Sequence, residues 1–238
     1  MKPHKAFDAG GKSRSGGAAL SRQIYQVLID RIITFELKPY DQLSELKISE
    51  ELGVSRTPIR EALVRLSELG LVDIYPQRGT VVTPLRDADL VKSQFLREAI
   101  EIAIVKRALE QPKPEELVAR LRAEITIQST FAKIGDMERF YDSDEAFHAL
   151  IAAHAGIPAV TSEVNRLKVH MDRFRHLMIS GIESLDEVLR QHVLIVDKIE
   201  AGDAAGCEEA MKVHLRRILA FSDKAAGKFP EYFEQSEH

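Results

Sequence analysis

The fold of this chain is decided by residues 53–63, which read GVSRTPIREAL. Ser55 suits the N-cap of a helix, because its hydroxyl can accept a hydrogen bond from a free amide of the first turn. Pro58 falls in that first turn, where its missing N–H removes no intrahelical hydrogen bond. Apolar residues then recur at helical spacing and keep one face buried. The stretch predicts a helix with a well-marked start and with Arg56 and Arg60, four residues apart, on its exposed face.

The segments on either side of this helix complete a known order of elements. A helical pattern runs from residue 20 to about residue 35, and a short second helix ends at Gly53. After Gly70, two β-prone segments at 71–75 and 80–82 enclose a turn. Helix, short helix, turn, helix and hairpin is the order of a winged helix-turn-helix.

The rest of the chain carries only helical patterns. Breaks rich in Gly and Pro divide residues 87–225 into about six helices. We therefore expect a mainly α fold with three parts. A flexible arm at 1–17 precedes a winged helix-turn-helix domain with a small β-hairpin wing at 18–84, and an all-α helical bundle for effector binding and dimerisation follows at 87–228. A hydrophobic content of 45% is enough to bury a core in each domain.

The composition indicates which kinds of partner the chain could bind. Residues 1–83 carry 12 basic and 10 acidic side chains, whereas the remainder carries 21 and 27, so the first part is the better candidate for meeting phosphate. No apolar run reaches the roughly 20 residues that span a bilayer, and the start has no signal-peptide core. We expect a cytoplasmic protein without a membrane partner. A single cysteine, Cys207, excludes an intrachain disulfide and a multi-cysteine zinc module.

The capped helix has the features of a recognition helix. Such a helix presents its N-terminal side chains to base edges in the major groove, while nearby basic groups contact phosphates. Arg56, Thr57 and Arg60 are placed for that role, and Arg78 at the hairpin tip is placed to reach the minor groove or a phosphate. Two arginines alone would equally describe a solvated helix face. The order of the surrounding elements favours DNA binding.

Residues 20–82 resemble the GntR family of bacterial transcription regulators, whose signature matches residues 53–63 nearly residue for residue. The resemblance implies that both arginines and the threonine of the recognition helix contact operator DNA. It also implies that Gly79 lets the wing approach the DNA backbone. This chain departs from the family pattern at two places.

The first departure is Pro39-Tyr40, where the family usually has Pro-Gly; it predicts an altered turn before the second helix. The second is Leu46, where many members have a basic residue. We expect neighbouring Lys47 to make the phosphate contact instead.

Four ionisable side chains lie on the apolar stripes of the later helices. Asp144 and His148 are four residues apart on one helix, so both can coordinate one ion. His192 and His214 lie equally far on either side of Asp203, and an antiparallel helix hairpin would bring them to the same height. Taken alone, each histidine would more often be a core residue whose ring nitrogens are hydrogen-bonded within the protein. Since burying ionisable groups costs several kcal/mol unless they are paired or bound to a metal, the four together favour a metal site.

One aspartate and three histidines form a ligand set that suits Zn, Ni, Mn or Fe without selecting among them. The helical part is also similar to the FCD effector domain of the FadR and VanR branch, on the run from Asp144 to Phe147-His148 together with His192 and His214. The resemblance implies that these four residues hold a metal ion and leave positions open for the oxygens of an effector.

Two arginines are candidates for binding that effector. Arg97 lies on an otherwise apolar face and resembles the arginine that binds the effector carboxylate in this branch. The alternative for Arg97 is a side chain that snorkels to the surface or forms an interdomain salt bridge. Arg173 is a weaker pocket candidate.

Together these features predict a homodimeric repressor that binds double-stranded operator DNA under the control of a small organic acid. One alternative is a metal-dependent enzyme, since open positions on a metal can activate water. No separate inward-facing general base is seen near the predicted ligands, so we expect no enzyme. Another alternative is a regulator whose metal site is purely structural.

Overall fold

A computed structural model describes residues 14–178 and 185–234. The arm predicted at 1–17 lies outside the described residues up to residue 13, and the first helix already begins at Arg14. The chain divides into two compact units. Among the described residues, one holds those up to Arg86 together with Phe229–Glu234, and the other lies within Asp87–Lys228. The predicted mainly α fold with a small antiparallel sheet is confirmed.

The first unit combines three helices with a three-stranded sheet. Its core contains Leu28, Ile59 and Leu66, none of which exposes any surface. In chain order the elements are α1 (Arg14–Ile33), β1 (Gln42–Leu43), α2 (Glu45–Leu52), α3 (Arg56–Glu68), β2 (Val72–Tyr75) and β3 (Gly79–Val82).

The wing is a three-stranded sheet and not only a hairpin. Strand β3 lies between β1 and β2 and is antiparallel to both, with Leu43 opposite Thr80. Strand β1 was not predicted, because a strand of two residues is too short to show an alternation of apolar and polar residues. Gly79 ends the turn between β2 and β3 with a φ of 97, a backbone conformation that glycine adopts more readily than other residues. Nothing lies within 4 Å of where a Cβ would stand, so the backbone angle and not a lack of space favours glycine.

The second unit consists of eight described α-helices where about six were predicted. The additional breaks fall at Lys168 and at a 3-10 turn, Arg217–Phe221, and neither contains the Gly or Pro on which the prediction relied. The core includes Phe147, Ile195 and Cys207. The helices are α4 (Asp87–Leu109), α5 (Pro114–Ile134), α6 (Met137–His154), α7 (Val160–Leu167), α8 (Val169–Met178), α9 (Leu185–Glu200), α10 (Ala204–Arg216) and α11 (Ser222–Lys228). None of the described helices has the length and apolarity needed to cross a membrane.

The C-terminal tail, residues 229–234, returns to the first unit. The ring of Tyr232 stacks on Phe35 with the centroids 5.0 Å apart. Leu85 pairs with Phe233, and the Leu85 amide donates to the carbonyl of Tyr232 at 2.8 Å. The helical domain predicted to end at residue 228 is therefore followed by a docked segment that the sequence analysis did not identify.

Tyr40 anchors this tail from the turn where the GntR pattern usually has glycine. Its φ of 70 is the left-handed conformation that glycine adopts readily and tyrosine does not. The tyrosine hydroxyl donates to the carbonyl of Phe233 at 3.0 Å. At this departure from Pro-Gly the chain makes a left-handed turn, and the tyrosine side chain holds the tail.

Candidate metal centre and DNA-binding face

The predicted recognition helix is α3, and its first residues face solvent. Arg56, Thr57 and Arg60 are exposed, whereas Ile59 on the opposite face is fully buried. Ser55 occupies the N-cap position with an extended backbone, but its side chain makes no capping hydrogen bond, contrary to the prediction. The hydroxyl is therefore not engaged with the helix it precedes.

Arg60 is held by a residue that the sequence analysis did not consider. Its Nε donates to Glu45 Oε1 at 3.0 Å and its Nη2 donates to Oε2 at 2.8 Å. These hydrogen bonds lower the pKa of the Glu45 carboxyl. Because the pair joins α2 to α3, Glu45 positions the guanidinium at the helix start, and base contact requires Arg60 to share or leave that partner.

The remaining predicted DNA contacts are also on the surface of the first unit. Lys47 is exposed in the first turn of α2, and Leu46 beside it is 47% exposed. Arg78 and Gly79 are exposed at the turn between β2 and β3. A basic side chain therefore stands at each of the two places where phosphate contacts were expected.

The four predicted metal ligands come together in the second unit. Asp144 and His148 project from α6, His192 from α9 and His214 from α10. One donor atom from each residue lies within 4.8 Å of the others. All four side chains are largely buried, and His192 exposes no surface at all.

Two glutamines orient two of these imidazoles. Nδ1 of His192 lies 2.8 Å from Oε1 of Gln128, and Nδ1 of His214 lies 3.2 Å from Oε1 of Gln191. An amide oxygen only accepts hydrogen bonds, so each Nδ1 carries the proton and each Nε2 presents a lone pair. Such outer partners commonly fix the tautomer of metal-binding histidines.

The third imidazole is oriented by a buried carboxylate. Nδ1 of His148 contacts Glu101, which also accepts from Nε of Arg97 at 2.5 Å. Burial alone would raise the pKa of Glu101, but Arg97 and His148 lower it to about 2. Arg97 is 4% exposed, so its predicted position on an inward face holds, and its ion-pair partner lies within its own helix.

The Nε2 atoms consequently point at one another and at the aspartate. Nε2 of His148 and Nε2 of His214 are 3.2 Å apart. Nε2 of His192 lies 3.4 Å from Oδ1 of Asp144 and has no hydrogen-bond partner in the described part of the chain. A divalent cation fits this set, because it would coordinate three ring nitrogens and one carboxylate, and it would give Nε2 of His192 the partner that the described part of the chain does not provide.

The protonation states also fit a metal. Burial lowers the pKa of His192 to about 3 and lowers that of His214 well below its usual value, so both are neutral. Burial would raise the pKa of Asp144, but Arg175 and the nearby imidazoles hold it well below its usual range. Neutral imidazoles and an ionised carboxylate are the forms that coordinate metals.

A narrow cleft opens beside the cluster. Arg175 lies 4.9 Å over the ring of Tyr141, and its Nη2 is 3.7 Å from Oδ2 of Asp144. Arg173, the predicted second arginine, is fully buried on α8 and is not among the residues that line this cleft. The polar lining consists of Arg97, Tyr141, Asp144, Arg175, His214 and Arg217.

Sequence reasoning missed several of these residues although some carried a signal. Glu101 follows Arg97 by four residues, which places both on one face of α4. Arg175 follows Met171 by four residues in the same way, and both line the cleft. Gln128 gave no such signal, because its contact with His192 joins two different helices.

Two family models match the chain. Residues 20–82 match the model described as bacterial regulatory proteins, gntR family, and residues 94–217 match the FCD domain. A Streptomyces ambofaciens protein, described as an uncharacterised HTH-type transcriptional regulator in an unstable DNA locus, is 34% identical over 93% of this chain and 92% of its own length. The Escherichia coli HTH-type transcriptional repressor RspR is 31% identical over 84% of this chain and 87% of its own.

Solved structures share the fold. Escherichia coli McbR/YncC superposes with a TM-score of 0.70 at 24% identity, covering 88% of this chain and 98% of that protein. A GntR regulator from Rhodococcus sp. RHA1, described as a putative transcriptional regulator, gives a TM-score of 0.66 at 24% identity with the same coverage. The arrangement of helices and sheet is therefore one that has been observed experimentally.

Proposed function

This chain belongs to the GntR family of bacterial transcription regulators and carries an FCD domain, and from that membership we propose that it is a repressor controlled by a small organic acid bound at a metal site. Operator binding is the activity of the family. The repressor role is supported by RspR, which is named a repressor. Acid control is supported by the cluster and cleft of the second unit.

One observation carries the metal part of the proposal. Each imidazole has its Nδ1 facing an acceptor and its Nε2 facing a common centre that also includes Asp144. Asp144, His148, His192 and His214 would hold a divalent ion such as Zn, Ni, Mn or Fe. When bound, that ion supplies Lewis-acid attraction for an oxygen of the effector.

The cleft supports a carboxylate as the effector. Arg97, Arg175 and Arg217 bring three guanidinium groups to its lining, and guanidinium binds carboxylate in a planar, bidentate way. Arg173 on α8 remains a predicted contributor to effector binding, although its side chain is fully buried and does not line the cleft. Because the cleft is narrow, we propose a small acid and a shift of Arg175 from Asp144 toward the acid when it binds.

The DNA-binding part requires two copies of the chain. A winged helix reads one half-site, and operators of such regulators place two half-sites at a fixed spacing, so we propose a homodimer. Arg56, Thr57 and Arg60 would contact bases, with Lys47, Arg78 and Gly79 along the backbone. Binding of the acid would change the operator affinity through the spacing of the two winged helices.

An enzyme is the alternative from another class. No further inward-facing base was predicted near the ligands, and the buried Glu101 is such a carboxylate. However, Arg97 and His148 both bind it and keep its pKa at about 2, which makes it a poor proton acceptor. The relatives are also transcription regulators, so we favour regulation over catalysis.

The test removes two ligands from different helices. We expect the double variant His192→Ala, His214→Ala to lose the metal that elemental analysis finds in the wild-type protein, while circular dichroism remains helical. His154→Ala, on α6 but outside the cluster, is the matched control and should keep its metal. Full metal retention by the double variant would refute the site, and unchanged acid binding by the metal-free variant would leave the metal purely structural.

A further inference from the structure

Helix α4 buries both polar and apolar side chains on one face and exposes apolar side chains on the other. Toward α6, α8 and α10 it buries Gln94, Arg97 and Glu101, each at 4–5% exposure. On the opposite face Val91 is 52% exposed and Phe95 is 67% exposed. A helix with apolar residues on both faces is normally covered on both, and water is an unfavourable neighbour for the outer one.

These outer residues form one continuous stripe along the helix. They follow each other at intervals of three or four positions, which places them on a single face. The stripe contains both alanines and larger side chains, so it has both projections and gaps. We name it the α4 outer stripe, and it consists of the exposed residues Ala88, Val91, Phe95, Ala99 and Ala103.

We propose that a second copy of this chain covers the α4 outer stripe, with the two α4 helices packed antiparallel about a twofold axis near residue 97. The proposal rests on the homodimer of the proposed function and adds the surface that forms it. A twofold contact needs a surface that is complementary to itself. Both the sizes and the charges along α4 meet that condition.

The sizes match across the axis. Phe95 and Ala99 lie two residues on either side of residue 97, so an antiparallel crossing there places Phe95 of each copy against Ala99 of the other. A ring therefore fits against a small side chain twice, and the shallow side chain lets the two helices approach closely. Val91 of each copy meets Ala103 of the other in the same register, since both lie six residues from residue 97.

The charges fix the orientation. Asp87 and Asp89 lie in the first turn of α4, and Lys106 and Arg107 lie in the last turn. An antiparallel second copy brings the acidic end of each helix to the basic end of the other, whereas a parallel copy would place like charges together. The antiparallel arrangement is the one that the charge pattern favours.

This surface would connect the metal site to the dimer. The same helix carries Arg97 and Glu101 toward His148 on one face and Phe95 toward the second copy on the other. A shift of α4 caused by an acid at Arg97 would therefore alter the packing of the two copies directly. Such a helix shift at a subunit interface is a common way to couple sites.

The first test compares two equally exposed apolar residues in the full-length protein. Phe95→Glu should raise the dimer dissociation constant at least about 100-fold by sedimentation velocity, because two carboxylates would be buried against apolar surface. Ile134→Glu is the matched control: Ile134 is 65% exposed in the last turn of α5 and lies off the stripe. It should leave the dimer unchanged, and both variants should retain metal and helicity.

The second test does not depend on how Phe95→Glu folds. A short bis-maleimide should crosslink Ala99→Cys into covalent dimers, because the proposed axis passes within two residues of position 99. The native thiol does not interfere, since Cys207 exposes no surface and burial raises its pKa to about 11. Ile134→Cys is the control and should remain uncrosslinked.

The outcomes separate the two proposals. A wild-type dimer that persists in Phe95→Glu, or that crosslinks through position 134 and not through position 99, would overturn the α4 surface and leave the homodimer standing. A wild-type protein that is monomeric at micromolar concentration, free and on operator DNA, would overturn the homodimer itself and the surface with it.

Discussion

The tautomer of His192 is set by a side chain 64 positions away. Gln128 on α5 offers its Oε1 to Nδ1 of His192, and the ring of Phe147 stacks on the imidazole with the centroids 4.0 Å apart. The hydrogen bond fixes the proton and the stacking fixes the plane of the ring. Together they aim Nε2 at Asp144 before any ion arrives, which lowers the entropy lost on metal binding.

Replacing Gln128 tests this orienting role. Gln128→Leu keeps the volume but removes the acceptor, so Nδ1 loses its partner and the ring is free to change tautomer. We expect metal affinity to fall about 10–100-fold in a chelator competition assay. Gln23→Leu, an exposed glutamine on α1, should bind metal as the wild-type protein does. Equal affinity in all three proteins would contradict the role assigned to Gln128.

At this scale the sequence identified the residues that repeat along one helix. Asp144 and His148 were predicted as a pair because four positions equal about one helical turn, and α6 brings them together. Gln128 and Gln191 were not predicted, because nothing local distinguishes a glutamine that meets a histidine from a neighbouring helix. The same limit led to Arg173 being singled out when Arg175, two positions later, lines the cleft.

Among the elements, the C-terminal tail has a place in the first unit that no sequence pattern indicated. It is held by the stacked rings of Phe35 and Tyr232, by Tyr40 and by the ion pair of Arg86 with Glu234 at 2.8 Å. The chain therefore passes between the two units twice, once after Arg86 and once before Phe229.

Loss of one aromatic ring should release the tail. We expect Tyr232→Ala to destabilise the docked tail by about 1–2 kcal/mol, because the ring stack and part of the apolar contact with Phe35 disappear. The amide of Leu85, which donates to the carbonyl of residue 232, should then exchange with deuterium faster. Glu231→Ala changes an exposed residue of the same tail and should leave that exchange rate as it was. Unaltered exchange in Tyr232→Ala would show that the ring does not hold the tail.

How well each element could be predicted depends on its length and on whether a capping residue, Gly or Pro marks its ends. Helix α3 was located from Ser55 and Pro58 at its start and from its apolar face. Strand β1 and the tail depend on partners far along the chain, namely β3 and Leu85, and no local pattern reports such pairing. The break at Lys168 also lacks Gly or Pro, so it is set by packing and not by the residues at the break.

On the scale of the whole molecule, α4 connects the parts of the proposed mechanism. It begins directly after Arg86 at the end of the first unit and bears Arg97 and Glu101 beside the cluster. Its outer stripe is the surface proposed for the second copy. An acid that moves Arg97 would therefore act on the helix that follows the DNA-binding unit in the chain and that carries the proposed dimer contact.

In the proposed mechanism, the metal site controls operator affinity. The most direct test of this control is fluorescence anisotropy of a labelled operator, selected from a random duplex pool, at fixed salt and with metal-loaded protein. The titration uses two- to six-carbon carboxylic acids that calorimetry shows to bind that protein. We expect such an acid to change the dissociation constant about 5–150-fold, and to change nothing in the His192→Ala, His214→Ala variant. Arg56→Ala should lose operator preference whether or not acid is present. Either an unchanged operator affinity in wild-type protein saturated with a bound acid, or an equal change in the variant without metal ligands, would contradict the account.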